Sequence, residues 1–169
     1  MTRRNWLQRL SALAFGPALA TATHAVPAAA DAPAAAGATD WKRLSDDEWK
    51  RRLNREQYQV LRREGTEPAH SSPLNAEQRA GIYHCAGCAL PLFSSDAKYD
   101  SGTGWPSFHT ALSGALGTKT DYKILLPRTE YHCARCGGHQ GHVFDDGPRP
   151  TGQRYCNNGV ALQFVAAAA

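Results

Sequence analysis

Two CxxC units constrain the fold of this chain more than any other feature. They read HCAGC and HCARC, and they contribute Cys85, Cys88, Cys133 and Cys136. Two thiolates separated by two residues can bind one ion from a single turn, and two such turns complete a tetrahedral zinc site. Because 44 residues lie between the units, we expect each unit to form its own turn and the metal to hold two distant parts of the chain together.

A redox role is the alternative for these four cysteines. They could form two disulfides, or two thioredoxin-like CxxC centres, in an oxidising compartment. Neither unit opens a helix after a βαβ pattern, and both follow the same Tyr-His pair. We favour structural zinc (Zn²⁺), whose apparent binding free energy in small peptides is roughly 10–16 kcal/mol.

Residues 1–25 have the layout of an export signal peptide of the twin-arginine type. Arg3 and Arg4 lead into an apolar run that ends in small residues and is shorter than the roughly 20 residues of a membrane-spanning helix. Cleavage after Ala22, Ala25 or Ala30 fits the small-x-small pattern. An uncleaved anchor or a disordered tail is the alternative. We therefore predict an exported, periplasmic protein with no stable membrane insertion after cleavage.

The residues that follow the signal carry little to bury and little net charge. Residues 26–39 form an Ala/Pro-rich linker, so the folded domain should span 40–169. The whole chain has a net charge of +4, and the signal contains three arginines and no acid, so about +1 remains after cleavage. That value argues against nucleic acid as a partner. We expect a monomer.

The domain combines short helices with many short strands. Capping boxes at Ser45 and Asn54, with a stop at Gly65, predict two helices in LSDDEWKRRL and REQYQVLRRE. From Gly81 onward, short apolar runs alternate with clusters of Gly, Pro, Asp and Ser. This alternation is typical of a small antiparallel β-domain with long loops, so we predict a mainly β fold with short N-terminal helices.

Cys156, in RYCNNG, has no CxxC partner. It is either an inert core residue, as free cysteines commonly are, or a reactive thiol. Arg154 would share its face of a strand, and a positive charge favours the thiolate. With His139 and His142 of GHQGHVF, the set suits nucleophilic attack with proton donation. Each histidine could instead be a surface residue or a core residue, and the two together could be metal ligands.

Aromatic residues adjoin flexible ones in DSGTGWPSF, residues 100–108. Aromatic side chains beside glycine-containing turns can form the wall of a shallow apolar pocket. Trp105 and Phe108 are therefore our candidate substrate-binding residues. The alternative is that Trp105 fastens its loop to the core.

These stretches together resemble the B-type methionine-R-sulfoxide reductases. The resemblance runs from about Leu44 to Val165 and rests on LFSSDAKYDSGTGWPSF, HCARCGGHQGHVFDDGPRPTG and RYCNNGVALQF. It implies a tent- or barrel-like antiparallel β-domain with a zinc site distal to the catalytic residues. It also implies an enzyme that reduces the R epimer of methionine sulfoxide in oxidised proteins or peptides, and so repairs them, with Trp105 packed against the substrate's methyl group.

The resemblance further implies a role for each candidate catalytic residue. Cys156 attacks the sulfoxide sulfur and becomes a sulfenic acid. His139 and His142 bind or protonate the sulfoxide oxygen, because cleavage of the S–O bond requires that oxygen to be protonated. Arg154 and Asn158 support the thiolate and its hydrogen bonds.

One position departs from the pattern of many relatives, which carry a resolving cysteine between the two glycines of the GxGW segment. Here that residue is Thr103. The sulfenic acid must then be reduced by an external thiol, such as a thioredoxin-like protein, or by a cysteine taken from the zinc site. We expect the external thiol, because opening the zinc site would forfeit much of the stability of the fold.

Two other functions compete with this interpretation. A non-catalytic, zinc-ribbon-like binding module would not need Cys156 and would present a basic surface. A thiol-disulfide oxidoreductase that uses the CxxC pairs would contain no zinc, and its thiol count would rise on reduction.

Overall fold

The computed structural model describes residues 39–168, which carry two α-helices and nine β-strands. The predicted export signal at 1–25, and the predicted linker at 26–39 except for its last residue, lie outside this range. The limits given to signal, linker and domain therefore stay a prediction. Within residues 39–168, no helix is both long enough and apolar enough to cross a membrane.

Helix α1 (Asp46–Arg52) and helix α2 (Arg55–Arg63) begin at the two predicted capping boxes. The side chains of Ser45 and Asn54 accept from the backbone amides of Glu48 and Gln57. The side chains of Glu48 and Gln57 in turn accept from the backbone amides of Ser45 and Asn54. These bonds satisfy amides that have no carbonyl partner within the helix. Helix α2 ends at Arg63, two residues before the predicted stop at Gly65, because Glu64 itself adopts a left-handed conformation with φ of 53°.

The strands form two antiparallel sheets. In chain order they are β1 (Gly81–Cys85), β2 (Pro91–Ser94), β3 (Lys98–Tyr99), β4 (Ser107–Phe108), β5 (Leu116–Asp121), β6 (Arg128–Cys133), β7 (His139–Phe144), β8 (Arg154–Asn157) and β9 (Leu162–Ala166). One sheet has the order β2-β1-β9 and the other the order β3-β4-β8-β7-β6-β5. The predicted mainly β fold with short N-terminal helices is confirmed.

Aromatic rings from both sheets form the centre of the core. Phe93 of β2 stacks on Phe108 of β4 at a centroid distance of 4.2 Å. Tyr83 of β1 meets Phe108 edge-on at 4.9 Å, and Tyr131 of β6 meets Phe93 at 6.1 Å. All four side chains are fully buried. Contacts of this kind add to the stabilisation from apolar burial, so they hold the two sheets face to face.

A β-bulge interrupts the pairing of β6 with β7. The register shifts there, and Gln140 of β7 has no residue opposite it. Regular alternation would place His139 and His142, three residues apart, on opposite faces of the sheet. The extra residue turns the strand, and the two imidazole rings come to a centroid distance of 5.5 Å.

Candidate active site and metal centre

The four CxxC cysteines meet in one buried cluster. Their sulfur atoms all lie within 4.8 Å of one another. The sulfur atoms of Cys85 and Cys136 are 3.6 Å apart, and those of Cys88 and Cys133 are 3.5 Å apart. The structure therefore brings the predicted ligand set together, and the cluster can bind one metal ion. Because Cys85 ends β1 and Cys133 ends β6, such an ion would join the two sheets.

The two CxxC turns have matching backbone geometry. Ala89 and Gly137, each directly after a second cysteine, have φ of 56° and 70°. Each donates its amide to the carbonyl of the first cysteine of its unit at 2.8 Å. Gly138 and Gln140 donate N–H groups to sulfur atoms of the cluster at 3.4 Å. Hydrogen bonds to sulfur favour the thiolate, which is the form that binds metal, so these residues fit a metal centre.

A separate small cavity, of about 190 Å³, contains the fifth cysteine. That volume is below the ~300–1,000 Å³ of clefts that hold drug-sized ligands, so the cavity suits a single side chain. Five of the predicted site residues line it: Trp105, His142, Arg154, Cys156 and Asn158. Thr66, Thr103, Arg128, Gly141, Phe144 and Asn157 complete the wall.

Strand pairing places the cavity residues. Arg154 and Cys156 are two residues apart in β8, so they share a face. His142 of β7 lies directly opposite Cys156. Ser107 of β4 lies opposite Cys156 on the other side, and the segment before β4 contributes Trp105 to the wall. The thiol therefore sits in the middle of the six-stranded sheet, between two paired neighbours.

Opposing effects act on the Cys156 thiol. Burial raises its pKa above the usual value, while the Arg154 charge and the Thr103 hydroxyl lower it and offset part of that increase. Arg154 itself donates twice to Asp146, each time at 2.8 Å, and its guanidinium lies 4.4 Å from the centre of the Phe144 ring. The sequence predicts the sign of the arginine effect on this pKa but not the larger opposing effect of burial.

A chain of hydroxyl groups leads away from Thr103. Its hydroxyl is 2.8 Å from that of Ser101, which is 2.7 Å from that of Ser107, and Ser107 can donate to the Trp105 carbonyl at 3.1 Å. Each hydroxyl has one proton. If Ser107 donates its proton to the Trp105 carbonyl, Ser101 must donate to Ser107 and Thr103 must donate to Ser101. Thr103 can then only accept a hydrogen bond from Cys156. With the chain reversed, Thr103 can donate to a thiolate.

His142 is the histidine on the cavity wall. Its Nε2 donates to Asp121 Oδ2 at 2.7 Å, and Arg128 donates to the same oxygen at 2.7 Å. Burial lowers the pKa of His142, and the Asp121 carboxylate opposes this. Hydrogen bonds from the Lys123 amide and from His142 hold the pKa of Asp121 well below its usual range.

His139 is not part of the cavity wall. Its side chain is 2% exposed, and its Nδ1 lies 3.2 Å from Glu130 Oε1. Its ring lies beside that of His142, at a centroid distance of 5.5 Å. The bulge explains why the two histidines are adjacent but unequal, with His142 at the cavity and His139 in the interior.

The two predicted substrate-binding aromatics also have different positions. Trp105 lines the cavity, and its Nε1 donates to the Glu67 carbonyl at 3.1 Å. Phe108 is fully buried and stacked on Phe93 in the core. The structure thus places Phe108 in the core and not among the residues that line the cavity. Its position in β4 turns it toward the opposite sheet rather than toward the cavity.

Glu67 supports the cavity wall, although no sequence pattern marks it. Its buried carboxylate accepts from the Gly159 amide at 2.6 Å and the Val160 amide at 2.9 Å, and its own amide donates to Asn158 Oδ1 at 3.0 Å. Together with the bond from Trp105, these contacts join three chain segments around the cavity. No local pattern in TEPAHSS predicts contacts across some 90 residues. Asp121, Arg128 and Phe144 were missed for the same reason.

The cluster and the cavity together define a class of protein: a small β-protein with four clustered cysteines that can bind a metal ion between its sheets, and a separate, partly accessible thiol. The family model of the SelR domain matches residues 53–166. The Mis18 "Yippee-like" domain is similar in structure at a TM-score of 0.42 and 18% identity, covering 54% of this chain and 100% of that one. Likeness at that level carries no conclusion.

Sequence relatives are considerably closer. A peptide methionine sulfoxide reductase MsrB of Leptospira interrogans is 51% identical over 121 residues, 71% of this chain and 92% of that protein. The chloroplastic B1 enzyme of Arabidopsis thaliana is 50% identical over 73% of this chain and 61% of its own length. MsrB of Methanosarcina barkeri is 51% identical over 71% of this chain and 85% of its own length. The chain belongs to the family of B-type peptide methionine sulfoxide reductases, which are oxidoreductases acting on sulfur.

Replacing Glu67 with alanine tests its place in the fold. Glu67→Ala leaves two backbone amides without an acceptor, so we expect the free energy of unfolding to fall by roughly 2–4 kcal/mol. Urea unfolding measures this. Glu56→Ala, at an exposed site on α2, is the control and should change it by less than ~0.5 kcal/mol. Equal stability of both variants would contradict the assigned bonds.

Asp121→Asn tests the environment of His142. The carboxylate raises the pKa of His142 against the effect of burial, so its loss should lower that pKa, as followed by NMR titration of the imidazole. Asp146→Asn is the matched control, because Asp146 pairs with Arg154, and it should leave His142 unchanged. A higher pKa in Asp121→Asn would show that the assigned partner is wrong.

Proposed function

We propose that this chain reduces the R epimer of methionine sulfoxide in oxidised proteins or peptides, with Cys156 as the nucleophile. The observation that carries the proposal is the pairing of Cys156 with His142 across adjacent strands, both on the wall of a cavity sized for one side chain. Membership of the B-type family supports the reaction and the epimer. Trp105 would pack against the methyl group of the bound sulfoxide.

In the proposed reaction the Cys156 sulfur supplies an electron pair to the sulfoxide sulfur. This forms a bond between the two sulfurs. The protonated oxygen then passes to the Cys156 sulfur as the substrate S–O bond breaks, and the S–S bond breaks with its electron pair left on the methionine sulfur, which gives methionine and a sulfenic acid with one proton. Methionine sulfur is reduced by two electrons, and Cys156 is oxidised by two. His142 takes the thiol proton and passes it to the departing oxygen, while Asp121 orients the ring and stabilises its charged form. His139 would act through the ring of His142.

The sulfenic acid would be reduced by an external thiol. Thr103 occupies the position at which a resolving cysteine would stand, and the other four cysteines are buried in the metal cluster. One thiol condenses with the sulfenic acid to form a mixed disulfide and water, and a second thiol releases Cys156. A thioredoxin-like protein is the class of reductant that we propose.

We propose zinc as the metal of the cysteine cluster. Four thiolates in two CxxC turns are the donor set that zinc prefers at structural sites. When bound, the ion would supply stability through Cys85, Cys88, Cys133 and Cys136, and no step of the reaction would pass through it. Export to the periplasm is proposed on the layout of residues 1–25 alone.

Single-turnover reduction tests the proposed function directly. Each separated epimer of a methionine sulfoxide peptide is mixed with the full chain without added reductant, followed by thiol counting and mass mapping. We expect about one equivalent of the R epimer to be consumed and only Cys156 to gain oxygen. A disulfide at Cys156 would show that a cluster cysteine resolves it. Reaction of neither epimer would favour the binding-module alternative.

A pair of serine variants tests the division of the cysteines. Cys156→Ser should abolish turnover and leave zinc content and the unfolding midpoint nearly unchanged. Cys133→Ser should lose the metal and unfold at much lower temperature, because metal binding is coupled to folding. A chelator should reproduce the second result in the wild type. Zinc loss in Cys156→Ser, or a stable Cys133→Ser, would contradict this division.

A further inference from the structure

Exposed apolar side chains are concentrated at one hairpin of the described part of the chain. The β5–β6 tip, residues 122–127, contains Tyr122, Ile124, Leu125 and Leu126, which are 77%, 50%, 99% and 72% exposed. Single exposed apolar residues are normal on a protein surface, but a contiguous patch indicates a binding site. Leu125 is almost fully exposed, so the tip is not held by the core.

The base of this hairpin is the wall of the active-site cavity. Asp121 and Arg128 lie opposite each other at the ends of β5 and β6 and form an ion pair at 2.7 Å. Arg128 lines the cavity, and Asp121 bonds His142. On the other side, Lys123 pairs with Glu64, two residues before Thr66 on the cavity wall. The tip therefore extends directly from the cavity rim.

The size of the cavity indicates what the tip could bind. At about 190 Å³, it accepts one side chain, so the residues on either side of an oxidised methionine must lie outside it. In a polypeptide substrate those residues pass over the rim. Apolar flanking residues would gain contact with the tip, whereas free methionine sulfoxide has no residues to place there.

The charges beside the tip argue against a membrane as its partner. Lys119, Lys123 and Arg128 are each paired with a carboxylate. Binding of peripheral proteins to anionic lipid depends on free basic residues together with apolar insertion. A six-residue tip is also far smaller than the 20–30 residues per side of a stable protein interface, so a second copy of the chain is not a suitable partner.

We propose that the β5–β6 tip binds apolar residues that flank the oxidised methionine, so that the enzyme prefers sulfoxides within apolar polypeptide segments. This inference rests on the proposed function. The flanking contacts are made alike in the ground state and the transition state, so the preference appears mainly in KM.

The test compares kcat/KM for three R-sulfoxide substrates: free methionine sulfoxide, a peptide with leucine and isoleucine around it, and a peptide with serine and glutamine around it. The variant Ile124→Ser/Leu125→Ser should lose about 10-fold on the apolar peptide, corresponding to loss of burial of part of two side chains. The other two substrates should stay within about 2-fold of wild type. Val165→Ser, at a residue that is also 50% exposed but lies on β9, is the matched control and should change nothing.

The possible outcomes distinguish a failure of the proposed tip contact from a failure of the proposed function. If the wild type reduces no substrate, the proposed function fails. If the wild type is active but the double variant loses nothing, or loses equally on all three substrates, the proposed tip contact is wrong. Wild-type binding to phosphatidylglycerol vesicles that the double variant lacks, without a change in peptide preference, would assign the tip to a membrane and overturn the proposal.

Discussion

The meeting of four cysteines at the ends of β1 and β6 is the contact on which the rest of the structure depends. Those strands belong to different sheets, and each reaches the cluster at its last residue. Helix α2 packs on the same place, since Arg62 donates to the Cys136 carbonyl at 3.2 Å. The aromatic core also holds the two sheets together, but four metal–sulfur bonds would fix the positions of the sheets much more strongly than contacts between rings.

The bulge at Gln140 connects this cluster to the active-site cavity. The Gln140 side chain donates to the Cys85 sulfur at 3.4 Å. The backbone carbonyl of Gln140 accepts from both the backbone amide and the side-chain amide of Asn158, each at 2.9 Å. The same extra residue brings His142 to the cavity. One irregularity in β7 therefore sets the position of a cluster contact, of Asn158 and of the histidine, although the cluster and the cavity remain separate sites.

The parts of the site that sequence predicted are those with a local signal. The spacing of the CxxC units identifies the four candidate metal ligands. The alternation of side chains along a β-strand predicts that Arg154 and Cys156 share a face. The roles of His139 and His142 could not be separated, because the shift that distinguishes them depends on how β7 pairs with β6. The position of Phe108 in the core, away from Trp105, could not be predicted either, because β-alternation does not say which sheet an aromatic side chain faces. Glu67 could not be predicted, because its carboxylate bonds the amides of Gly159 and Val160, which are distant in the sequence.

Burial of Cys156 has a consequence for the proposed chemistry. Because burial raises the pKa of the thiol, the sulfur keeps its proton near neutral pH. Reduction of a sulfoxide by a thiol conserves protons, since sulfoxide plus thiol gives sulfide plus sulfenic acid. The proton that the departing oxygen needs is therefore already in the cavity. His142, with a pKa lowered by burial, is neutral and can take that proton as the sulfur attacks and return it to the oxygen. A thiolate beside a neutral imidazole would hold no proton for the oxygen, so a thiol that gives up its proton only as its sulfur attacks suits this reaction.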